Sequence, residues 1–232
     1  MGCSESRKGY SQQEVYLQGR ETDLGFGRVK CTHLLRVVTW HAQGQTVSNS
    51  SLNNAFSELS LPAWNESPSS SALFSAFKSS QSGLKRLQLA CVLLGKGKLQ
   101  HKSESLWTIY NVENDPQIAI TTLAQMCHDL LSVSIEDLGK LDVTASVGDY
   151  LAGIKGGMED FGRIMVADIA KGKEEIGEKE FVKAMEEIEE GKYLKASSLR
   201  SLVEEYRQKK SVPRFPKVIH SISSQALTRN PS

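Results

Sequence analysis

The chain has 232 residues, 39% hydrophobic and 24% charged, with 28 basic against 27 acidic side chains and a net charge of +1. That length can bury a substantial core without disulfide or metal staples, and the balanced charge leaves no electrostatic footprint for nucleic acid. No apolar run approaches the roughly 20 residues of a membrane-spanning helix.

The first eight residues, Met1-Gly-Cys-Ser-Glu-Ser-Arg-Lys, satisfy Met-Gly-x-x-x-Ser/Thr. This pattern makes Gly2 the expected myristoylation site, with a free amine once Met1 is removed. Cys3, beside it, is the expected palmitoylation site. One myristoyl chain holds a membrane marginally and a second makes the attachment stable; Arg7 and Lys8 add attraction to anionic headgroups. Residues 9–27 are polar with four glycines and no sustained period. Residues 1–31 therefore read as a lipidated flexible tether. Cys3, Cys31, Cys91 and Cys127 are widely spaced and form no C-x-x-C, which points to a reducing compartment. There is no secretory signal pattern.

From Thr32 the chain repeats one grammar: an apolar-periodic helix, a polar loop with an aliphatic near its end, then another helix. The first unit has Leu34, Leu35, Val37, Val38 and Trp40 entering, Val47 in the loop, and Leu52, Phe56 and Leu59 leaving. The second centres on Leu84, the third on Ile118 and the fourth on Ile176. The third is the clearest. Asn111–Thr122 is a 12-residue loop with Asn111, Glu113 and Asp115 at positions 1, 3 and 5, Ile118 at position 8 and Thr122 at position 12. Those are the places where a calcium-binding helix–loop–helix puts its oxygen ligands and its loop-pairing aliphatic. The loop aliphatics are nearly evenly spaced in the first two gaps. The third gap is longer by an insert, 135–157, large enough for one extra short helix. A repeat of this kind fixes the architecture before any other consideration.

Over residues 32–190 the chain thus resembles the EF-hand superfamily. The runs Leu89-Ala-Cys-Val-Leu-Leu-Gly-Lys-Gly and Leu106-Trp-Thr-Ile-Tyr-Asn-Val are similar to the link between second and third hands in N-myristoylated calcium-sensor and calcineurin B-like proteins. The acylation pattern followed by worn hands also resembles the N-terminal half of the lysosomal, mTOR-associated TLD-domain proteins. The resemblance implies an all-α fold of four tandem EF-hand-like units in two pairs, at 32–100 and 101–192. An extra amphipathic helix follows at 193–210, and an extended or disordered tail at 211–232. It also implies that Val47 pairs with Leu84, and Ile118 with Ile176, in short β-bridges between loops.

The loops are poor cradles for calcium, which wants six to eight oxygens, a glycine at position 6 and a bidentate carboxylate at position 12. With the aliphatic set at position 8, position 12 is Ser51 in the first loop, Gln88 in the second and Thr122 in the third. Pro116 takes the glycine's place in the third loop. Only the fourth keeps an acid at position 12, Glu180, while Lys171 and Lys173 stand at positions 3 and 5, where they would repel the ion. No cofactor is expected. A residual metal site would use Asp168 and Glu180 in a 13-residue variant of the fourth loop.

The five histidines are scattered and no phosphate-loop order is present, so no catalytic constellation emerges. The expectation is a non-catalytic adaptor or regulator on the cytoplasmic face of a plasma or endolysosomal membrane, with a cytosolic pool. It would bind a partner protein, in a helix-in-groove contact, and no nucleic acid. The alternative is a calcium-responsive myristoylated sensor with one weak site in the fourth loop.

Overall fold

Serine caps and apolar residues at helical spacing set most of the secondary structure. The computed structural model describes residues 10–141 and 144–211, so the expected lipidation sites Gly2 and Cys3 and the tail 212–232 lie outside the described residues. Eleven α-helices are present among them: α1 Gln12–Asp23, α2 Cys31–His41, α3 Asn49–Glu58, α4 Pro68–Ser79, α5 Gly83–Leu94, α6 Leu99–Tyr110, α7 Ile120–Ser132, α8 Ala145–Lys155, α9 Met158–Ala170, α10 Glu178–Glu187 and α11 Ala196–Ser211. Among the described residues the fold is all-α apart from two three-residue strands, β1 (Gln117–Ala119) and β2 (Glu175–Gly177). No helix among the described residues is long and apolar enough to cross a membrane.

The helix starts are written locally. Ser48 and Ser51 form a reciprocal capping box at α3, and Ser67 and Ser70 repeat it at α4, where Pro68 fills the first turn. α4 turns into α5 through Ser80–Ser82 alone. Gly83 makes this possible, because a Cβ there would lie 2.0 Å from the carbonyl oxygen of Phe77.

α2 lies against α3 and α5, α6 against α10, and α7 against α9. Their inner faces merge into a single hydrophobic core running from Leu24 to Val203. Phe26, Phe56 and Phe74 stack edge to face in its N-terminal half, with centroids 5.9 Å (Phe26–Phe56) and 5.1 Å (Phe56–Phe74) apart. Trp107 meets Phe181 at 5.7 Å in the C-terminal half. Cys31, Cys91 and Cys127 are buried free thiols. The insert after α7 continues as a π-helical turn (Val133–Asp137) and a 3₁₀ turn (Leu138–Leu141) before α8.

Part of the tether reading is corrected. Residues 12–23 form α1, and Phe26–Arg28 a 3₁₀ turn, with Leu17, Leu24 and Phe26 buried. The helical period is there, but two of the buried positions on it, Glu14 and Glu21, are carboxylates, which hides it from a search for apolar residues. Their partner is Arg200 on α11, wholly buried. Arg200 Nε and Nη2 donate to the two Glu14 oxygens at 2.8 and 2.7 Å, and Nη1 donates to the Ser134 carbonyl at 2.8 Å. Nη1 also lies 2.7 Å from Glu21 Oε1. Tyr150 on α8 donates to Glu14 at 3.1 Å. Burial raises the pKa of Glu21, outweighing the pull of Arg200; burial also opposes the charge on Arg200, but Glu21 and Glu14 overcome it and raise its pKa. α11 is thereby seated against α1, α8, α9 and the two irregular segments around Ser134 and Tyr193.

Replacing Arg200 with Met strands two buried carboxylates. Urea unfolding is expected to show a loss of about 3–5 kcal/mol, largely recovered when Glu14 and Glu21 are replaced by Leu in the same chain.

A second buried cation is Lys102, 6% exposed, whose ammonium donates to the carbonyls of Leu93 and Leu194 at 3.2 Å each. Burial lowers its pKa from 10.5 to about 8. Between those values the unfolded chain holds a proton that the folded chain has released. The burial penalty is thus fully present below pH 8, and stability rises with pH through the window by at most about 3 kcal/mol. The difference in unfolding free energy between wild type and Lys102→Met, measured at pH 7.5 and again at pH 10, should show this rise and isolate it from the thiols and tyrosines.

Candidate functional site

The antiparallel β1–β2 ladder joins the loop between α6 and α7 to the loop between α9 and α10. Its register places Ile118 opposite Ile176, flanked by Gln117 opposite Gly177 and Ala119 opposite Glu175. Ile120 N–H extends the contact by donating to the Glu174 carbonyl at 2.9 Å. Both isoleucines are buried. Two helix–loop–helix segments are thus held back to back, with α6 on α10 and α7 on α9.

In the first of these loops Asn111 follows the end of α6 and closes the turn with its own side chain. Its Oδ1 accepts from Asp115 N–H at 2.9 Å and its Nδ2 donates to the Asp115 carbonyl at 2.7 Å. Asn114 takes a left-handed backbone (φ 57°). The Glu113 and Asp115 residues are exposed, and Thr122 lies in the first turn of α7. Asn111 thus serves as a turn residue, an arrangement its short amide side chain favours.

The second loop carries its own cation. Lys171 and Gly172 both adopt left-handed backbone as α9 ends, with φ of 50° and 83°. Lys173 then donates its ammonium to Glu180 at 2.6 Å. This hydrogen bond holds the Glu180 carboxyl below the usual carboxylate range. Asp168 is engaged elsewhere, accepting from the Tyr193 hydroxyl at 2.8 Å. The two residues singled out as metal ligands therefore have separate partners, and no group of three or more acidic, histidine or cysteine ligands converges among the described residues. A small cavity of about 240 Å³ remains beside the pair, lined by Ile169, Lys171, Ile176 and Ala184.

The N-terminal half is joined differently, and the expected Val47–Leu84 bridge is corrected. Leu84 belongs to α5 rather than to a loop, because the α4–α5 connection has shrunk to three residues. Its N–H donates to the Gln45 carbonyl at 3.1 Å, while Gln43 and Thr46 bridge within their own loop. Val47 and Leu84 are both buried in the common core. Burial of the two aliphatics survives without a strand ladder. Beside this half lies a cavity of about 340 Å³ whose apolar wall is Leu24, Phe56, Pro62, Trp64 and Phe74. Lys78 stacks on the Trp64 ring at 4.1 Å, and the indole N–H donates to Asn53 at 2.7 Å.

The buried polar groups Glu14, Glu21, Arg200 and Lys102 were not among the candidates named from sequence. The signal for the first two was spacing: Glu14, Leu17, Glu21 and Leu24 fall on one helical stripe. For Lys102 no comparable signal exists. Comparisons of the chain with protein-family models, curated proteins and solved structures return no match.

Removing the ammonium by Lys173→Met is expected to return the Glu180 carboxyl to its ordinary titration range. Carboxyl-detected NMR titration of wild type and variant measures the upward shift directly.

Proposed function

We propose that the chain is a membrane-anchored, non-catalytic, EF-hand-like adaptor or regulator that binds a partner protein, mostly without calcium. The observation that carries this reading is the Lys173–Glu180 pair within a loop that is laddered to its neighbour through Ile118 and Ile176. Calcium-responsive hands open because an ion arrives and pulls the twelfth-position carboxylate inward. Here a covalently tethered ammonium already satisfies that carboxylate, and the loops are joined without an ion. Such a pair offers a fixed surface and no ion-driven switch. The apolar wall of Leu24, Phe56, Pro62, Trp64 and Phe74 offers a recess of a size to take a partner's bulky side chain. Acylation at Gly2 and Cys3 would address that surface to a membrane.

Calorimetric titration of the full chain with millimolar Ca²⁺ is expected to give no saturable heat. About one ion per chain, abolished by Glu180→Gln, would establish the sensor instead. In eukaryotic cells, Gly2→Ala should move the protein out of the membrane fraction while leaving its co-purifying partners unchanged. Unmodified Gly2 in the intact mass would remove the anchor from this reading.

A further inference from the structure

Three exposed lysines meet where the segment before α2 runs alongside the link between α5 and α6. Lys30 and Lys96 are partners in a parallel backbone bridge, with Lys96 N–H donating to the Val29 carbonyl at 2.8 Å and Cys31 N–H to the Lys96 carbonyl at 2.7 Å. Paired positions of a bridge project to one side, and Lys98, two residues beyond Lys96, follows the same alternation. All three are exposed, and none has an ion pair with a described residue. Several lysines elsewhere are paired with acids: Lys140 with Asp137, Lys155 with Glu136, Lys173 with Glu180 and Lys210 with Asp160.

What lies behind these three adds to their charge. Lys102, one turn along α6 from Lys98, is the buried cation, and the charged or titratable groups that act on it are the Cys31 thiol and the ammonium of Lys195. No carboxylate is among them. On the packed elements, Glu104 accepts from Gln100 at 2.8 Å, and Glu190 stands next to Gly191, which lies against Leu99. Three stretches of the chain, around Lys30, Lys96–Lys102 and Lys195, therefore bring like charges to one junction.

We propose that the face formed by Lys30, Lys96 and Lys98 is a docking surface for an anionic lipid bilayer. This rests on the membrane-anchored reading above and specifies which side of the protein meets the bilayer. Lysine ammoniums are compact, hydrated point charges, suited to a diffuse and laterally fluid anionic surface rather than to a directional, bidentate contact. Each lysine near an anionic surface contributes about fivefold to partition, so three contribute on the order of a hundredfold.

The test uses the full chain made without acylation, co-sedimented with phosphatidylcholine vesicles with and without about 30% phosphatidylserine. Wild type is expected to sediment only with the anionic vesicles, and less as salt is raised. Lys30→Glu/Lys96→Glu/Lys98→Glu should lower the partition by on the order of a hundredfold. The same three positions changed to Arg should retain it, with unchanged helical circular dichroism and thermal midpoint in both variants. Equal binding by wild type and the Glu variant overturns the proposal. So does a loss confined to Arg7→Ala/Lys8→Ala, competition by millimolar inorganic phosphate at constant ionic strength, or capture of an acidic polypeptide with no vesicle binding. Because acylation is absent from the assay, an unmodified Gly2 in cells would remove the anchor and leave this result standing, and an inert lysine face would leave the anchor standing.

Discussion

A single guanidinium, buried completely, ties the first described helix to the last. Arg200 has no water to solvate it, so its charge persists only because Glu14, Glu21 and the Ser134 carbonyl surround it. An ion in a low-dielectric interior is tolerable when its hydrogen-bonding capacity is filled, and here two separate elements, α1 and the π-helical turn, supply the acceptors. That requirement fixes the register of α1 against α11 and the position of the π-helical turn that presents Ser134. Apolar packing alone would tolerate small slides between these helices. The forked geometry at Glu14 does not. Gln18 Nε2, on the same helix, has no hydrogen-bond partner among the described residues.

The C-terminal loop pair shows a related economy. In a hand that holds calcium, divalent charge gathers acidic side chains from one loop. In this chain a lysine from the loop itself, Lys173, faces the acid at the twelfth position, Glu180. The link between the loops is left to backbone hydrogen bonds and to two buried isoleucines, neither of which depends on ion supply. The N-terminal half goes further and dispenses with the ladder, relying on an aromatic cluster and on the tight α4–α5 turn that Gly83 permits.

Much of this was readable from the residues. Apolar spacing placed the helices around Leu34 and Phe56, and the loop aliphatics Ile118 and Ile176 stand opposite one another as their positions in the repeat suggested. Two kinds of feature escaped. α1 was invisible because its buried stripe alternates leucine with glutamate, and a carboxylate reads as solvated until its partner, 186 residues away, is known. Leu84 was assigned to a loop because the repeat template was laid over a connection that had lost its residues, and loop length is set by packing rather than by spacing. Lys102 illustrates the same limit, since nothing local marks a lysine that will be enclosed by the carbonyls of Leu93 and Leu194.

The separation of Glu14 from Arg200 has a consequence for biosynthesis. At about 5–20 residues per second, a ribosome takes roughly ten to forty seconds to make the intervening chain. Throughout that interval the glutamates of α1 have no guanidinium, so α1 has reason to stay in water rather than settle into its final seat. α1 can take that seat only once α11, the last described helix, has emerged.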